Sequence, residues 1–225
     1  MGKSVPDYLL DKAVFGGSFD PVHRGHILSG VAVIKKNISR EIIFMPAGIS
    51  PFKMHASPIP GRDRLQMIKL AINSTAAGEI KNQLQYTDIE LKREGPSYTA
   101  ESLRELRLMY PGEKIGFIMG ADSFNSFEQW KNPSDILLHH PILVLSRKTA
   151  DDSIISLKKE MLMKLFVDEN PEIVSVKNSL VECSSTAIRQ ILKEWSPERR
   201  KELEECLPGP VLDYIIERKF YMNTG

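Results

Sequence analysis

The chain has 225 residues, 42% hydrophobic and 26% charged, which excludes a disordered polymer and supplies a core for one generous domain or a domain with a small appendage. Its 30 basic and 29 acidic residues leave a formal net charge of +1, so no global field draws it to nucleic acid or to an anionic membrane.

In chain order, Lys12 to Phe15 reads as a strand running into Gly16-Gly17, and His26 to Lys36 as a helix. Glu41 to Met45 is a second strand, closed by Pro46. The stretch AGISPFKMHASPIPG is rich in Pro, Gly and Ser and reads as a long loop. Apolar positions at Leu65, Ile68, Leu70, Ala71 and Ile72 predict a helix over Arg62 to Ala77, and Gln85 to Leu91 reads as a strand. Ser97 to Tyr110 is a helix with a polar start, stopped by Pro111-Gly112. Lys114 to Met119 is a strand entering Gly120-Ala121-Asp122, and short helices surround Trp130 and Leu137. Pro141 to Leu145 and Ile173 to Val176 are further strands, separated by a helix over Ile154 to Phe166. Ser184 opens another helix with Ser or Thr caps, and Pro197 to Cys206 and Pro208 to Lys219 are the last two helical segments.

Strands alternating with helices predict an α/β, Rossmann-like, doubly wound fold: a mostly parallel sheet with helices on both faces and a helical C-terminal end. No boundary divides the chain, so residues 1–225 read as one domain, helical from about 184 to 225. Ligands bind such sheets beyond the carboxyl ends of the strands, at the topological switch point. Three chemically rich segments fall there: GGSFDPVHRGH after the first strand, GADSF after the Lys114 strand, and SSTAIR opening a late helix.

No apolar run approaches the ~18 residues of a membrane span. Asp7 and Asp11 flank a very short apolar patch at the start, which does not fit a signal peptide. Cys183 and Cys206 lack CxxC spacing and read as two thiols in a reducing cytoplasm, not as a disulfide scaffold.

Within GGSFDPVHRGH, Gly16 and Gly17 allow backbone conformations closed to other residues and close approach to a ligand. Asp20-Pro21 makes a turn that launches a helix. His23 and His26, three residues apart, share one face of its first turn, where the helix dipole favours anions. Imidazoles there can donate to phosphate oxygens. A dinucleotide fingerprint would need GxGxxG, and a zinc site would need the HExxH spacing or a nearby third ligand. An ordinary tight turn with two satisfied histidines is the remaining alternative.

The motif resembles the signature of the HxGH nucleotidyltransferases. Together with DIELKREGPSYTAESL, FIMGADSFNSFEQW and SSTAIR, it resembles bacterial nicotinate mononucleotide adenylyltransferase from about Lys12 to Tyr221. The first motif alone points to the superfamily; GPSYT, GAD and Trp130 in that order are more specific.

The resemblance implies adenylyl transfer from ATP to nicotinate mononucleotide, giving deamido-NAD and pyrophosphate in NAD biosynthesis. It makes His23, His26 and Arg189 the catalytic phosphate donors, assisted by backbone N–H groups near Gly16, Gly17, Ser18 and Phe19. Ser184, Ser185 and Thr186 would hold the β and γ phosphates, and Gly120 and Asp122 the adenosine part of ATP. Tyr98, Thr99 and Trp130 would form the pyridine pocket. Many members of the family carry Pro-Pro-His-Lys after the second strand. Here Lys53 matches the lysine as an ATP-binding residue, Phe52 replaces the histidine, and His55 is a candidate substitute beside the alternative of a solvated loop. Mg²⁺ would arrive with ATP, bound mainly through phosphate oxygens, with no dedicated metal ligands in the chain. Nicotinate mononucleotide and ATP are the expected partners, with no nucleic acid and no membrane; a homo-oligomer stays open. Pantetheine-phosphate adenylyltransferase and the cytidylyltransferases share the first motif but do not explain GPSYT with Trp130. A nucleotide sensor without turnover would not need His23, His26 and Arg189 intact.

Overall fold

Along the inner strands, apolar side chains point alternately to two separate cores, and this requires helices on both sheet faces. The computed structural model describes residues 9–49, 59–146, 149–177 and 183–223, with backbone alone at 149–151. Its elements are β1 (Leu10–Gly17), α1 (Arg24–Lys35), β2 (Ser39–Pro46), α2 (Gly61–Thr75), α3 (Gly78–Asn82), β3 (Leu84–Tyr86), α4 (Thr99–Met109) and β4 (Ile115–Gly120). Then follow α5 (Ala121–Asn125), α6 (Pro133–His139), β5 (Ile142–Ser146), α7 (Thr149–Leu165), β6 (Ile173–Lys177), α8 (Ser185–Lys193), α9 (Arg200–Glu204) and α10 (Gly209–Glu217).

Among the described residues the six strands form one sheet in the order β3-β2-β1-β4-β5-β6. Every pairing is parallel. From β1 the chain winds outward to β3, then returns to lay β4 on the other side of β1. The carboxyl ends of β1 and β4 therefore flank the switch point, and Gly17 and Gly120 end there.

The two cores read directly off the strand period. Ala13 and Phe15 of β1, with Ile42 and Phe44 of β2, pack into one core with Ile27 of α1, Met67 of α2, Leu192 of α8 and Leu212 of α10. Val14, Phe117 and Val144 point the other way, into a core with Leu103 of α4, Phe124 of α5, Ile136 of α6 and Leu162 of α7. The C-terminal helices thus cover the same face as α1 and α2. An additional tie runs from Tyr214 of α10, whose hydroxyl donates to the Asp63 carboxylate of α2 at 2.7 Å.

Several expectations need correction. The strand expected over Gln85 to Leu91 covers only Leu84–Tyr86. Its sole neighbour among the described residues, β2, ends at Pro46, and Thr87 makes the last ladder-like bond described, from its N–H to the Phe44 carbonyl at 3.0 Å. Beyond that the chain turns, with Leu91 N–H donating to the Asp88 carbonyl at 2.9 Å. The turn buries the Glu90 carboxylate, which accepts from Gly48 N–H at 3.1 Å and from the Ser102 hydroxyl at 2.7 Å. The first helix begins at Arg24 instead of His26, because His23 is its extended N-cap. The short α3 lies in a stretch with no apolar period to betray it. Pro197 to Cys206 is a 3₁₀ turn followed by α9, not one helix.

Cys183 and Cys206 are bonded to each other, not free thiols. The fold brings their Cα atoms to 5.5 Å although 23 residues separate them. Spacing along the chain carries no trace of that return, so the cysteine argument for a reducing compartment loses its premise. The bond joins the residue before the α8 N-cap to the second residue after α9, and the Cys206 carbonyl accepts the Arg24 N–H of α1 at 2.8 Å.

Gly48 packs where no side chain fits: a Cβ there would lie 2.5 Å from the Glu90 carbonyl oxygen and 2.6 Å from Ser97 Oγ. Gly48→Ala is expected to lower unfolding stability in urea by about 1–3 kcal/mol. Gly209→Ala, whose Cβ would meet nothing within 4 Å, should change it by no more than about 1 kcal/mol.

Candidate active site

A cleft of about 500 Å³ opens at the switch point. Gly16, Gly17 and Ser18 from the end of β1 form one wall. Phe117 and Met119 of β4 and Met45 of β2 supply apolar surface, and Asp122 and Ser126 follow β4. Tyr98 and Thr99 at the start of α4, with Trp130, close the other side.

Gly16 is required by packing, not by an unusual dihedral. A Cβ there would sit 2.9 Å from the Phe117 ring. Neither Gly16 nor Gly17 has a positive φ; the left-handed residue in this turn is Phe19, at φ 47°. Its buried ring meets Phe15 and Phe44 edge-on and comes within 5.0 Å, centroid to centroid, of His26. The turn is thus anchored by an aromatic cluster beneath the histidines.

His23 and His26 stack, with centroids 3.7 Å apart and ring planes inclined by 24°. The His23 backbone N–H donates to His26 Nδ1 at 3.2 Å, closing the first turn of α1. A neutral His26 that accepts at Nδ1 carries its proton on Nε2, which makes that nitrogen a hydrogen-bond donor. His23 is 2% exposed and His26 half-buried.

The start of α8 docks against this turn. Ser185 Oγ donates to the Pro21 carbonyl at 3.0 Å, and Arg189 Nη1 donates to the Asp20 carbonyl at 2.6 Å. Arg189 Nη2 also donates to Thr186 Oγ1 at 3.2 Å, so the Thr186 proton remains available as a donor. Ser184 is the exposed N-cap of α8. Segments more than 160 residues apart in the chain therefore meet at one corner.

Asp20 is joined to Pro21 by a cis peptide bond, and its carboxylate is bonded from the C-terminal end of the chain. The Tyr221 hydroxyl donates to Asp20 Oδ1 at 2.5 Å. Burial, and then the neighbouring Asp20 charge, push the Tyr221 phenol well above its ordinary pKa, so it stays a donor. Arg64 of α2 is 5% exposed and donates to three carbonyls: Ser18 at 2.7 Å, Ala47 at 2.7 Å and Ile59 at 3.3 Å. Burial lowers the Arg64 pKa, and the nearby Asp20 charge opposes that shift.

At the far end of the cleft, Trp130 packs edge-on to Phe117 at 6.1 Å and tilted to Phe127 at 5.5 Å. Tyr98 is the N-cap of α4 and Thr99 its first residue. Lys131 places Nζ 3.9 Å from the Tyr98 ring centroid.

The structure brings Gly16, Gly17, Ser18, Tyr98, Thr99, Asp122 and Trp130 to one cleft, with Gly120 as the N-cap of α5 at its edge. It gathers His23, His26, Ser185, Thr186 and Arg189 at the adjoining corner. Lys53, with Phe52 and His55, lies outside the described residues. Sequence reasoning missed Arg64, Glu90, Tyr221 and Lys131. Arg64 and Tyr221 sit in segments whose apolar period signals only a packed helix or its end, and nothing in that pattern marks them as buried polar groups.

A cytidylyltransferase-like family model matches residues 14–191. A probable nicotinate-nucleotide adenylyltransferase of Clostridium botulinum is 31% identical over 215 residues, 95% of this chain and all of that protein. Another, of Aquifex aeolicus, is 35% identical over 177 residues, 78% of this chain and 99% of that one. Among solved structures, the nicotinic acid mononucleotide adenylyltransferase of Plasmodium falciparum complexed with APC aligns at a TM-score of 0.72. It is 20% identical and covers 94% of this chain and 97% of that one. The same enzyme complexed with NaAD aligns equally well, at 19% identity, covering 93% of this chain and 96% of that one. Matched in sequence over nearly its whole length, with the expected doubly wound parallel sheet, the chain belongs to the nicotinate-nucleotide adenylyltransferases of the cytidylyltransferase-like family.

Proposed function

We propose that the protein transfers the adenylyl group of ATP to nicotinate mononucleotide, releasing pyrophosphate and forming nicotinate adenine dinucleotide. The observation that carries this is the junction of the stacked His23-His26 pair with the α8 start, beside a cleft edged by Tyr98, Thr99 and Trp130.

The acceptor phosphate is already an anion, so it can attack the α-phosphorus without a general base. One P–O bond forms as the bond to pyrophosphate breaks. The work left to the protein is positioning and stabilisation of charge on the phosphates. His23 and His26 serve the α-phosphate as donors. Arg189, Ser184 and Thr186 hold the leaving β and γ phosphates, with Ser185 fixing the α8 start to Pro21. Gly17, Ser18 and the Phe19 turn bring backbone close to the nucleotide, and Gly120 and Asp122 take its ribose and base. Tyr98, Thr99 and Trp130 receive the pyridine ring by stacking and hydrogen bonding. Lys53 is assigned to phosphate by its match to the family loop.

Among the described residues no group of three or more His, Cys, Asp and Glu side chains could cage a metal. This donor set fits a Mg²⁺ ion carried by the triphosphate itself, which would neutralise phosphate charge when bound. His23, His26 and Arg189 would then hold the phosphates that hold the ion. The whole reaction is assigned to a single domain spanning 1–225, in a cytoplasmic setting that supplies ATP.

Pyrophosphate release should require ATP and nicotinate mononucleotide together, with Mg²⁺ present. Turnover with phosphopantetheine instead, or ATP binding by calorimetry without any pyrophosphate, would replace this reading with the related transferase or the silent sensor. His23→Ala and His26→Ala should each lower kcat by about 10²–10³, while the cost in unfolding stability stays near ~1 kcal/mol. Near-normal kcat in either variant contradicts the assigned role. Arg64→Lys keeps a charge but loses the planar fork that spans three carbonyls. It should cost about 1–3 kcal/mol in urea unfolding and raise the KM for ATP about tenfold.

A further inference from the structure

The chain has two cysteines, and the fold bonds them to each other. Neither lines the cleft. Each instead adjoins the start of a helix whose first turn is assigned to phosphate. Cys183 directly precedes Ser184, the N-cap of α8, in the helix that carries Thr186 and Arg189. The Cys206 carbonyl accepts from the Arg24 N–H at 2.8 Å, and the Glu204 carbonyl accepts from Arg24 Nε at 3.3 Å. Arg24 is the first residue of α1, directly after the N-cap His23.

These contacts close a ring around the phosphate corner. The Asp20-Pro21 turn leads into α1, Glu204 and Cys206 hold the α1 start, and the disulfide carries that anchor to the α8 start. Ser185 and Arg189 then return to the carbonyls of Pro21 and Asp20. The disulfide is the covalent link between distant segments in this ring. Opening it leaves α8 seated in the core by Ile188 and Leu192, but lets its first turn shift against α1. Donors to a triphosphate lose much of their effect on small displacements. Access to the bond is one-sided: Cys183 is 4% exposed, whereas Cys206 is half-buried.

The cytoplasmic setting assigned above is a reducing one, where a bond between cysteines serves catalysis or sensing and is made and broken. This bond stands outside the cleft, which leaves sensing. Resting on the adenylyltransferase reading and that setting, we propose that Cys183 and Cys206 form a reversible redox-modification site for a dithiol, and that the bonded form is the one that binds ATP tightly. A thiolate of the dithiol attacks Cys206 Sγ, the S–S bond breaks, and Cys183 leaves as a thiolate that takes up a proton. The second thiol of the reductant then displaces Cys206 from the mixed disulfide. Two electrons and two protons pass to the protein, and the reductant departs as its own disulfide. Exchange with a disulfide in the opposite direction restores the bond.

The test uses the full chain, oxidised or reduced with dithiothreitol, and reads ATP affinity by calorimetry beside steady-state kinetics. Thiol titration should find neither cysteine reactive before reduction and both reactive after it. Reduction should weaken ATP binding and raise the KM for ATP about fivefold, with the KM for nicotinate mononucleotide within about twofold. Oxidised glutathione should reverse the change. The double variant Cys183→Ser with Cys206→Ser should bind ATP as the reduced chain does and ignore the reductant. The proposal is overturned if the reduced chain binds ATP as tightly as the oxidised one, or if both KM values rise alike. Loss of the helical circular dichroism signal on reduction would make the bond a structural staple and overturn it too. So would a response to dithiothreitol that survives in the double variant, or thiols that stay reactive after oxidised glutathione. Absence of pyrophosphate from the oxidised chain with both substrates removes the adenylyltransferase reading, while the two ATP affinities still decide the redox site.

Discussion

A buried guanidinium governs how the loops of this site sit. Burial disfavours the Arg64 charge, and three backbone carbonyls together with nearby Asp20 compensate it. Two of those carbonyls, Ser18 and Ala47, belong to the loops that leave β1 and β2 at the switch point. The third, Ile59, precedes α2. One side chain therefore sets the spacing of the loops that border the cleft. Asp20 extends the same arrangement outward: Tyr221 fixes its carboxylate and Arg189 its carbonyl. The α8 start and the stacked histidines are then both registered against one turn. Catalysis by positioned donors needs such a frame, because a donor displaced by a fraction of an ångström loses much of its effect.

The sheet beneath is the simpler part, and it was legible. Alternation along Ala13, Val14 and Phe15 sends neighbours to opposite cores, so the strand had to be covered on both sides. Repeated strand-helix alternation then leaves a doubly wound sheet as the plain solution, and its switch point is where the three chemically rich segments were expected. His23 and His26 were legible as residue types at a helical spacing, while Arg189 and the Tyr98-Thr99-Trp130 set were picked out by the resemblance; the fold collects them as two adjoining groups.

What was not legible depends on tertiary return. Arg64 looks like the polar side of an amphipathic helix, and only the loops folded over it show that it is buried. Cys183 and Cys206 carry no spacing motif, and their bond follows from α8 and α9 turning back on each other. The strand expected over Gln85 to Leu91 failed because its neighbour stops at Pro46 and because Glu90 turns inward to Gly48 and Ser102. The glycine turn was right in place and wrong in cause: Phe117 forbids a side chain at Gly16, while Phe19 takes the left-handed backbone.

The chemistry we propose for these parts is direct transfer between two anions with no group on the protein acting as nucleophile. Its most direct test is the stereochemical course at phosphorus, followed with an ATP analogue bearing a chiral α-thiophosphate and nicotinate mononucleotide as acceptor. A single in-line displacement predicts inversion of configuration in the dinucleotide product. Retention would require an adenylyl-enzyme intermediate and would contradict a site built only to hold and neutralise its substrates.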